Sequence, residues 1–132
     1  MRYMLDTTIC IFIIKQKPES VIQRFMELKP GDICISSITY AELVHGAERS
    51  QAKEKNRLAL TIFLSEIPIL PFDDLAAQAY GRVKAELQRE GVSISQPDTL
   101  IAAHAKSKEL TLVSNHIRDF ARVDGLIVED WG

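Results

Sequence analysis

Short uninterrupted apolar runs alternate along this chain with longer stretches in which apolar residues return every third or fourth position. That is the pattern of buried strands alternating with amphipathic helices. Tyr3–Leu5 reads as a short strand that stops at Asp6, followed by a helix from about Thr8 to Ile14, with Pro18 punctuating its end. Over residues 20–30, Val21, Ile22, Phe25, Met26 and Leu28 recur at helical spacing, and Pro30-Gly31 closes the segment. Ile33–Ile35 is a second buried strand, with Ser36 and Ser37 at its end. Residues 38–50 form a helix that turns Ala41, Leu43, Val44 and Ala47 mostly inward. A further amphipathic helix is predicted over 52–67, a third strand over 67–72, and a long helix over 73–91 that ends on Gly91 as a left-handed cap. Pro97-Asp98 opens another helix over 98–110, residues 111–114 form a fourth strand, and 126–131 a fifth.

Strands that are short and apolar on both faces, separated by helices, predict an α/β fold: a parallel sheet covered on both sides. At 132 residues the chain is one domain, 1–132, with no internal repeat and no Gly/Ser-rich linker. A 46% hydrophobic share excludes wholesale disorder. The formal net charge of −2 gives no global basic field. A nucleic-acid partner therefore needs a local basic rim, for which Arg82, Lys84, Arg89, Lys106, Lys108, Arg118 and Arg122 are the candidates, a solvated face being their plain alternative. Cys10 and Cys34 both lie in apolar runs and read as buried, reduced thiols. The apolar run after Asp6 is too short for a bilayer span and lacks the order of a signal peptide, so the expected location is cytoplasmic, with no membrane partner.

In a parallel sheet, chemistry gathers beyond the carboxyl ends of the strands. Three acids fall at such places: Asp6 directly after the first strand, Glu42 about one turn into the helix after the second, and Asp98 at the start of the helix before the fourth. Each has a plain structural reading too. Asp98 suits a helix N-cap and Glu42 an exposed helix face, whereas Asp6, between two apolar runs, needs a cation, donors or water. Three carboxylates brought to one rim need a counter-charge, and oxygen ligands completed by water and phosphate suit Mg²⁺ or Mn²⁺ better than Zn²⁺.

The segments MLDTTICIFIIK, ISSITYAELVHGAERS, PDTLIAAHAKSKELTLVSN and DFARVDGLIVEDW, in this order and spacing, resemble the PIN-domain endoribonucleases, and more closely the VapC-type toxins of bacterial toxin–antitoxin pairs. The resemblance covers essentially the whole chain. It implies a ribonuclease H-like α/β/α sandwich, Mg²⁺ or Mn²⁺ held by acidic residues, and cleavage of single-stranded RNA. For this subtype the implied substrate is tRNA, initiator tRNA cut in the anticodon loop being the leading expectation. Asp6, Glu42 and Asp98 match the family's acids as catalytic and metal-binding residues, and Thr7 matches its hydroxyl residue. Two positions depart from the pattern. Thr8 stands where the family has Asn, and the fourth position reads Ser114-Asn115-His116 with Asp119 nearby, so the fourth ligand stays open between them.

The implied reaction is metal-assisted phosphodiester hydrolysis. His45, His104 and His116 lie in separate segments and make no pair for metal-free RNA cleavage. His104 reads as a packing residue, and His45 as a surface residue with a supporting role to Glu42 as its alternative. The competing readings are a degenerate PIN domain that only binds RNA or an antitoxin, and a Mg²⁺-dependent DNA nuclease or phosphatase. The resemblance also implies a VapB-type antitoxin, which contacts operon DNA itself, and a homodimer. Phe25, Met26, Leu28, Leu58, Ile62 and Phe63 are candidates for such contacts where they are not core.

Overall fold

The computed structural model describes residues 1–132. Five short strands form one all-parallel sheet: β1 (Tyr3–Leu5), β2 (Ile33–Ser36), β3 (Ile69–Leu70), β4 (Thr111–Val113) and β5 (Val128–Glu129), in the order β3-β2-β1-β4-β5. Seven helices connect and cover them: α1 (Thr7–Ile14), α2 (Glu19–Met26), α3 (Ser37–Glu48), α4 (Lys53–Phe63), α5 (Asp74–Arg89), α6 (Gln96–Ser107) and α7 (Ile117–Phe120). The predicted α/β class and parallel sheet hold.

Strand periodicity divides the core in two. Met4, Cys34 and Leu112, in register across β1, β2 and β4, point to one face with the inner sides of α5 and α6. Tyr3, Leu5, Ile33, Ile35 and Val113 point to the other, against Ile9, Cys10 and Ile13 of α1, Val21 of α2 and Leu60 of α4. Helix α6 is buried from Ile101 to Ala105, and its alanines allow close contact with Ala79, Val83 and Leu87 of α5. Both cysteines are buried and free. Burial pushes the Cys34 thiol up to about 12 and the Cys10 thiol well above its ordinary value, with the charge of Asp6 adding to the latter. No helix is long and apolar enough to cross a membrane.

Several boundaries differ from the sequence expectation. Helix α2 ends at Met26, short of Pro30, and α4 ends at Phe63, each followed by a single 3₁₀ turn, at Pro30–Asp32 and Leu64–Glu66. The third strand shrinks to Ile69–Leu70 because Pro68 and Pro71 flank it without amide donors. The fifth shrinks to Val128–Glu129, where the Glu129 side chain accepts from Arg24 and from the Trp131 indole. Ala41, expected inward, is exposed, while Leu43 and Ala47 are buried. Gly91 has φ +71, as a left-handed cap requires. Helix α7 has no counterpart in the predicted elements.

Candidate active site

The strand order places a switch point between β1 and β4, since the chain proceeds to β2 on one side of β1 and from β4 to β5 on the other. A crevice forms beyond the carboxyl ends of strands at such a point. Asp6 and Ser114 are the first residues past β1 and β4, and the Asp6 amide donates to the Val113 carbonyl at 3.0 Å.

Asp6 is only 2% exposed. It caps α1, one carboxylate oxygen accepting from the Ile9 amide at 2.9 Å. Burial pushes its pKa up to about 6 from 3.8. Hydrogen bonds from Ser114 and Ile9 and the charge of His116 pull the other way, and the charge of Asp98 pushes it further up. The hydrogen bonds Asp6 accepts thus come from neutral groups, and the charge of His116 offsets only part of the cost of burial, so the carboxylate is short of positive charge.

Asp98 reaches the same crevice from α6. It is not the N-cap: Ser95 is, its hydroxyl oxygen accepting from the Asp98 amide at 3.3 Å. The Ser-x-x-Asp spacing was the signal for this cap. Freed from capping, the Asp98 side chain is 22% exposed and faces His116, whose Nδ1 lies 3.7 Å from Asp98 Oδ2. The His116 amide in turn donates to the Ser114 hydroxyl oxygen at 2.9 Å. Of the two residues left open at the fourth position, His116 touches Asp98, while Asp119 is exposed on α7 and makes no side-chain hydrogen bond or ion pair.

Glu42, in the second turn of α3, is tied to the site through Thr7. The Thr7 hydroxyl donates to Glu42 Oε1 at 2.5 Å and lies 3.4 Å from the Thr39 hydroxyl. No three His, Cys, Asp or Glu side chains stand close enough together to hold a metal ion by themselves. That geometry does not suit zinc, which takes a closed set of protein ligands in structural sites and three in catalytic ones. The expectation that Asp6, Glu42 and Asp98 together hold one ion is therefore not met: Glu42 stands apart from the other two. Asp6 and Asp98 remain as the one or two carboxylates through which Mg²⁺ or Mn²⁺ bind when water or phosphate fills the other positions.

A cavity of about 600 Å³ runs from Thr7 and Glu42 between α1, α3 and α4. Ile11, Ile14, Leu43 and Leu60 line it, and Lys15, Arg49, His45 and Asn56 border it. The sequence reading missed Lys15 and Arg49. Each is the C-cap residue directly after its helix, α1 or α3, and that placement was their only signal. Two residues of the expected basic rim are engaged elsewhere: Lys108 pairs with Asp73, the N-cap of α5, and the end of the Lys106 side chain packs at Gly125.

An all-parallel sheet in this order, with Asp6 and Asp98 at its switch point, is the arrangement of a nuclease domain, and the comparisons agree. Residues 3–126 match the PIN domain family, and the chain belongs to it. Its similarity is to the VapC branch. It is 48% identical over 131 residues to the tRNA(fMet)-specific endonuclease VapC of Shigella flexneri, covering 99% of this chain and 98% of that one. The solved DNA-bound VapBC of Salmonella typhimurium matches at a TM-score of 0.94 with 44% identity, over 100% of this chain and 99% of the other. VapBC2 of Rickettsia felis, bound to a promoter DNA fragment, matches at 0.92 with 41% identity over 100% of both chains.

Proposed function

We propose that this protein is a Mg²⁺- or Mn²⁺-dependent endoribonuclease, the toxin of a toxin–antitoxin pair, and that it cuts initiator tRNA in the anticodon loop. The observation that carries the reading is Asp6: a buried carboxylate at the switch point, next to Asp98 and short of a counter-charge. The name tRNA(fMet)-specific endonuclease, borne by the Shigella relative, supports the substrate.

A bound ion would supply polarisation of the scissile phosphate and a lowered pKa for an attacking water. Asp6 and Asp98 would hold it. Glu42, with Oε1 fixed by Thr7, keeps Oε2 free of protein partners and orients a water or takes its proton. His116, exposed beside Asp98, faces the incoming phosphodiester. Lys15 and Arg49, along the adjoining cavity, meet the phosphates that flank the cut. The double variant Lys15→Ala/Arg49→Ala is expected to raise KM for RNA roughly tenfold, to lower the salt slope of binding by about 1–2, and to leave kcat unchanged. A titration of binding against salt, beside steady-state rates, checks this. An unchanged salt slope rules the two cations out.

The test of the function is a digest of total tRNA by purified, antitoxin-free protein with Mg²⁺, with Mn²⁺ and with EDTA. A metal-dependent cut confined to initiator tRNA is expected. Binding of RNA without cutting would favour the degenerate-module reading that Thr8 and His116 raise, and cutting of DNA alone would favour a DNA nuclease.

The partner proposed is a VapB-type antitoxin, in keeping with the VapBC complexes among the structural matches. Phe25, Leu28 and Phe63 are half-buried, and Phe25 and Phe63 rings lie 6.4 Å apart, but Met26 (76%) and Ile62 (64%) stand exposed beside them. They line an apolar groove of about 310 Å³ between α2 and α4. Charge placed there, as Met26→Asp or Ile62→Asp, is expected to weaken antitoxin binding by about 2 kcal/mol or more without slowing RNA cleavage. Calorimetric titration reads the affinity, and the mass of the complex reads its stoichiometry, including any pairing of two toxin copies.

A further inference from the structure

The chemistry above makes no use of His104, although this imidazole is wholly buried in α6, the helix that also carries Asp98. Its Nδ1 lies 2.7 Å from the hydroxyl oxygen of Ser36, which is equally buried. Ser36 ends β2 and caps α3, its oxygen accepting from the Ile38 amide at 3.0 Å. Whichever of the two carries the shared proton, the Ser36 hydroxyl and Nδ1 form one buried hydrogen bond between β2 and α6. Burial, together with the charge of Lys108, holds the His104 pKa below the ordinary value, in keeping with a neutral ring, though Asp73 and the backbone of Pro71 pull the other way.

The neighbours close a ring of contacts. The His104 ring meets Phe72 edge-on at 5.3 Å, and the Phe72 amide donates to the Ser37 hydroxyl oxygen at 3.0 Å. The junction of β2 and α3 is thereby gripped by α6 at Ser36 and by the β3–α5 connection at Ser37. Nε2 makes no hydrogen bond of good geometry, the backbone of Pro71 being the other polar group that acts on the ring. A buried polar atom so poorly paired is destabilising, and a leucine would fill similar space without that cost. The short bond at Nδ1 is the contact that a leucine could not replace.

Building on the reading of Asp98 as an ion-holding acid and Glu42 as the residue that orients water, we propose that His104 is a positioning residue. Its bond to Ser36 locks the helix carrying Asp98 to the start of the helix carrying Glu42, and so sets the separation of the two acids. It touches neither substrate nor ion.

The test compares wild type with His104→Asn, which keeps a polar atom near the place of Nδ1, His104→Leu, which removes it, Ser36→Ala, and the double variant His104→Leu/Ser36→Ala. Three quantities are measured: kcat and KM on tRNA, Mn²⁺ affinity of RNA-free protein from the electron paramagnetic resonance signal of unbound Mn²⁺, and the thermal midpoint. His104→Leu and Ser36→Ala are each expected to lower kcat and Mn²⁺ affinity roughly tenfold, with KM for RNA unchanged. The double variant should be no worse than the poorer single one, because both remove the same bond. His104→Asn should recover most of the loss.

The proposal is overturned if His104→Leu binds Mn²⁺ and turns over as wild type does, or if a folded His104→Asn loses as much as the leucine variant. Should His104→Leu fail to fold, Ser36→Ala and His104→Asn decide the matter by the same two readouts. A wild-type protein that neither binds Mn²⁺ nor cuts RNA overturns the functional reading beneath this proposal. A wild type that does both, beside indifferent His104 and Ser36 variants, overturns the proposal alone.

Discussion

Asp6→Asn is expected to abolish RNA cleavage and, at neutral pH, to make the metal-free protein more stable. These opposite effects come from one cause. The folded protein keeps Asp6 protonated up to about pH 6, whereas an unfolded chain ionises it near 3.8. Between those values the folded state binds more protons than the unfolded one, so stability falls as pH rises through the window and stays lower above it. The gap corresponds to about 3 kcal/mol as an upper figure, because ionising Asp6 charges a buried group that its neighbours compensate only in part. Asparagine keeps an oxygen for the Ile9 amide and carries no charge to bury. Stripped of divalent ions, Asp6→Asn should therefore melt roughly 5–10 °C above wild type at pH 7.5. The advantage should vanish near pH 3, where both states of wild type are protonated. Cleavage should fall about 10³-fold or more, since losing a metal ligand forfeits several kcal/mol of transition-state stabilisation. A variant that melts lower at pH 7.5, or cuts at a tenth of the wild-type rate, contradicts this account of Asp6.

Metal removal has the second large effect. EDTA is expected to reduce cleavage to background, with Mg²⁺ or Mn²⁺ restoring it. In the RNA-free protein the same ions should raise the melting temperature at pH 7.5, where Asp6 is ionised. At a hundredfold excess over Kd the stabilisation is about 2.7 kcal/mol. Below about pH 6 protons compete for Asp6, and the stabilisation should fade. Asp6→Asn should lose most of it at every pH. Thermal melts across pH, with and without metal, separate the two terms. Unchanged cleavage in EDTA removes the ion from the mechanism.

The parts of the fold that announced themselves were those that one helix or strand decides alone. The apolar runs of β1, β2 and β4 and the helical spacing of α5 each mark a buried face, so their existence and order could be read directly. Boundaries set by neighbours could not. Pro68 and Pro71 confine β3, while the bonds from Arg24 and Trp131 to Glu129 lie at the end of β5. The site divides in the same way. Asp6 was legible because a charge between two apolar runs is costly to bury without partners, and Asp98 and Glu42 because they follow at matching places along the chain. The contact of His116 with Asp98, the bond of His104 to Ser36 and the shared cavity of Lys15 and Arg49 depend on how distant segments pack. Spacing along one chain carries no trace of them. The capping of α6 by Ser95 is the intermediate case, a local signal present in the sequence and outweighed there by the Pro97-Asp98 pair.

The most direct test is a crystal of the protein grown or soaked with Mn²⁺ near pH 7.5, with anomalous diffraction recorded at the manganese edge. One strong peak bridging the carboxylates of Asp6 and Asp98, absent from crystals of Asp6→Asn, is the predicted result. A map with no peak there, or with manganese bound only elsewhere on the surface while the same preparation cuts RNA, contradicts it.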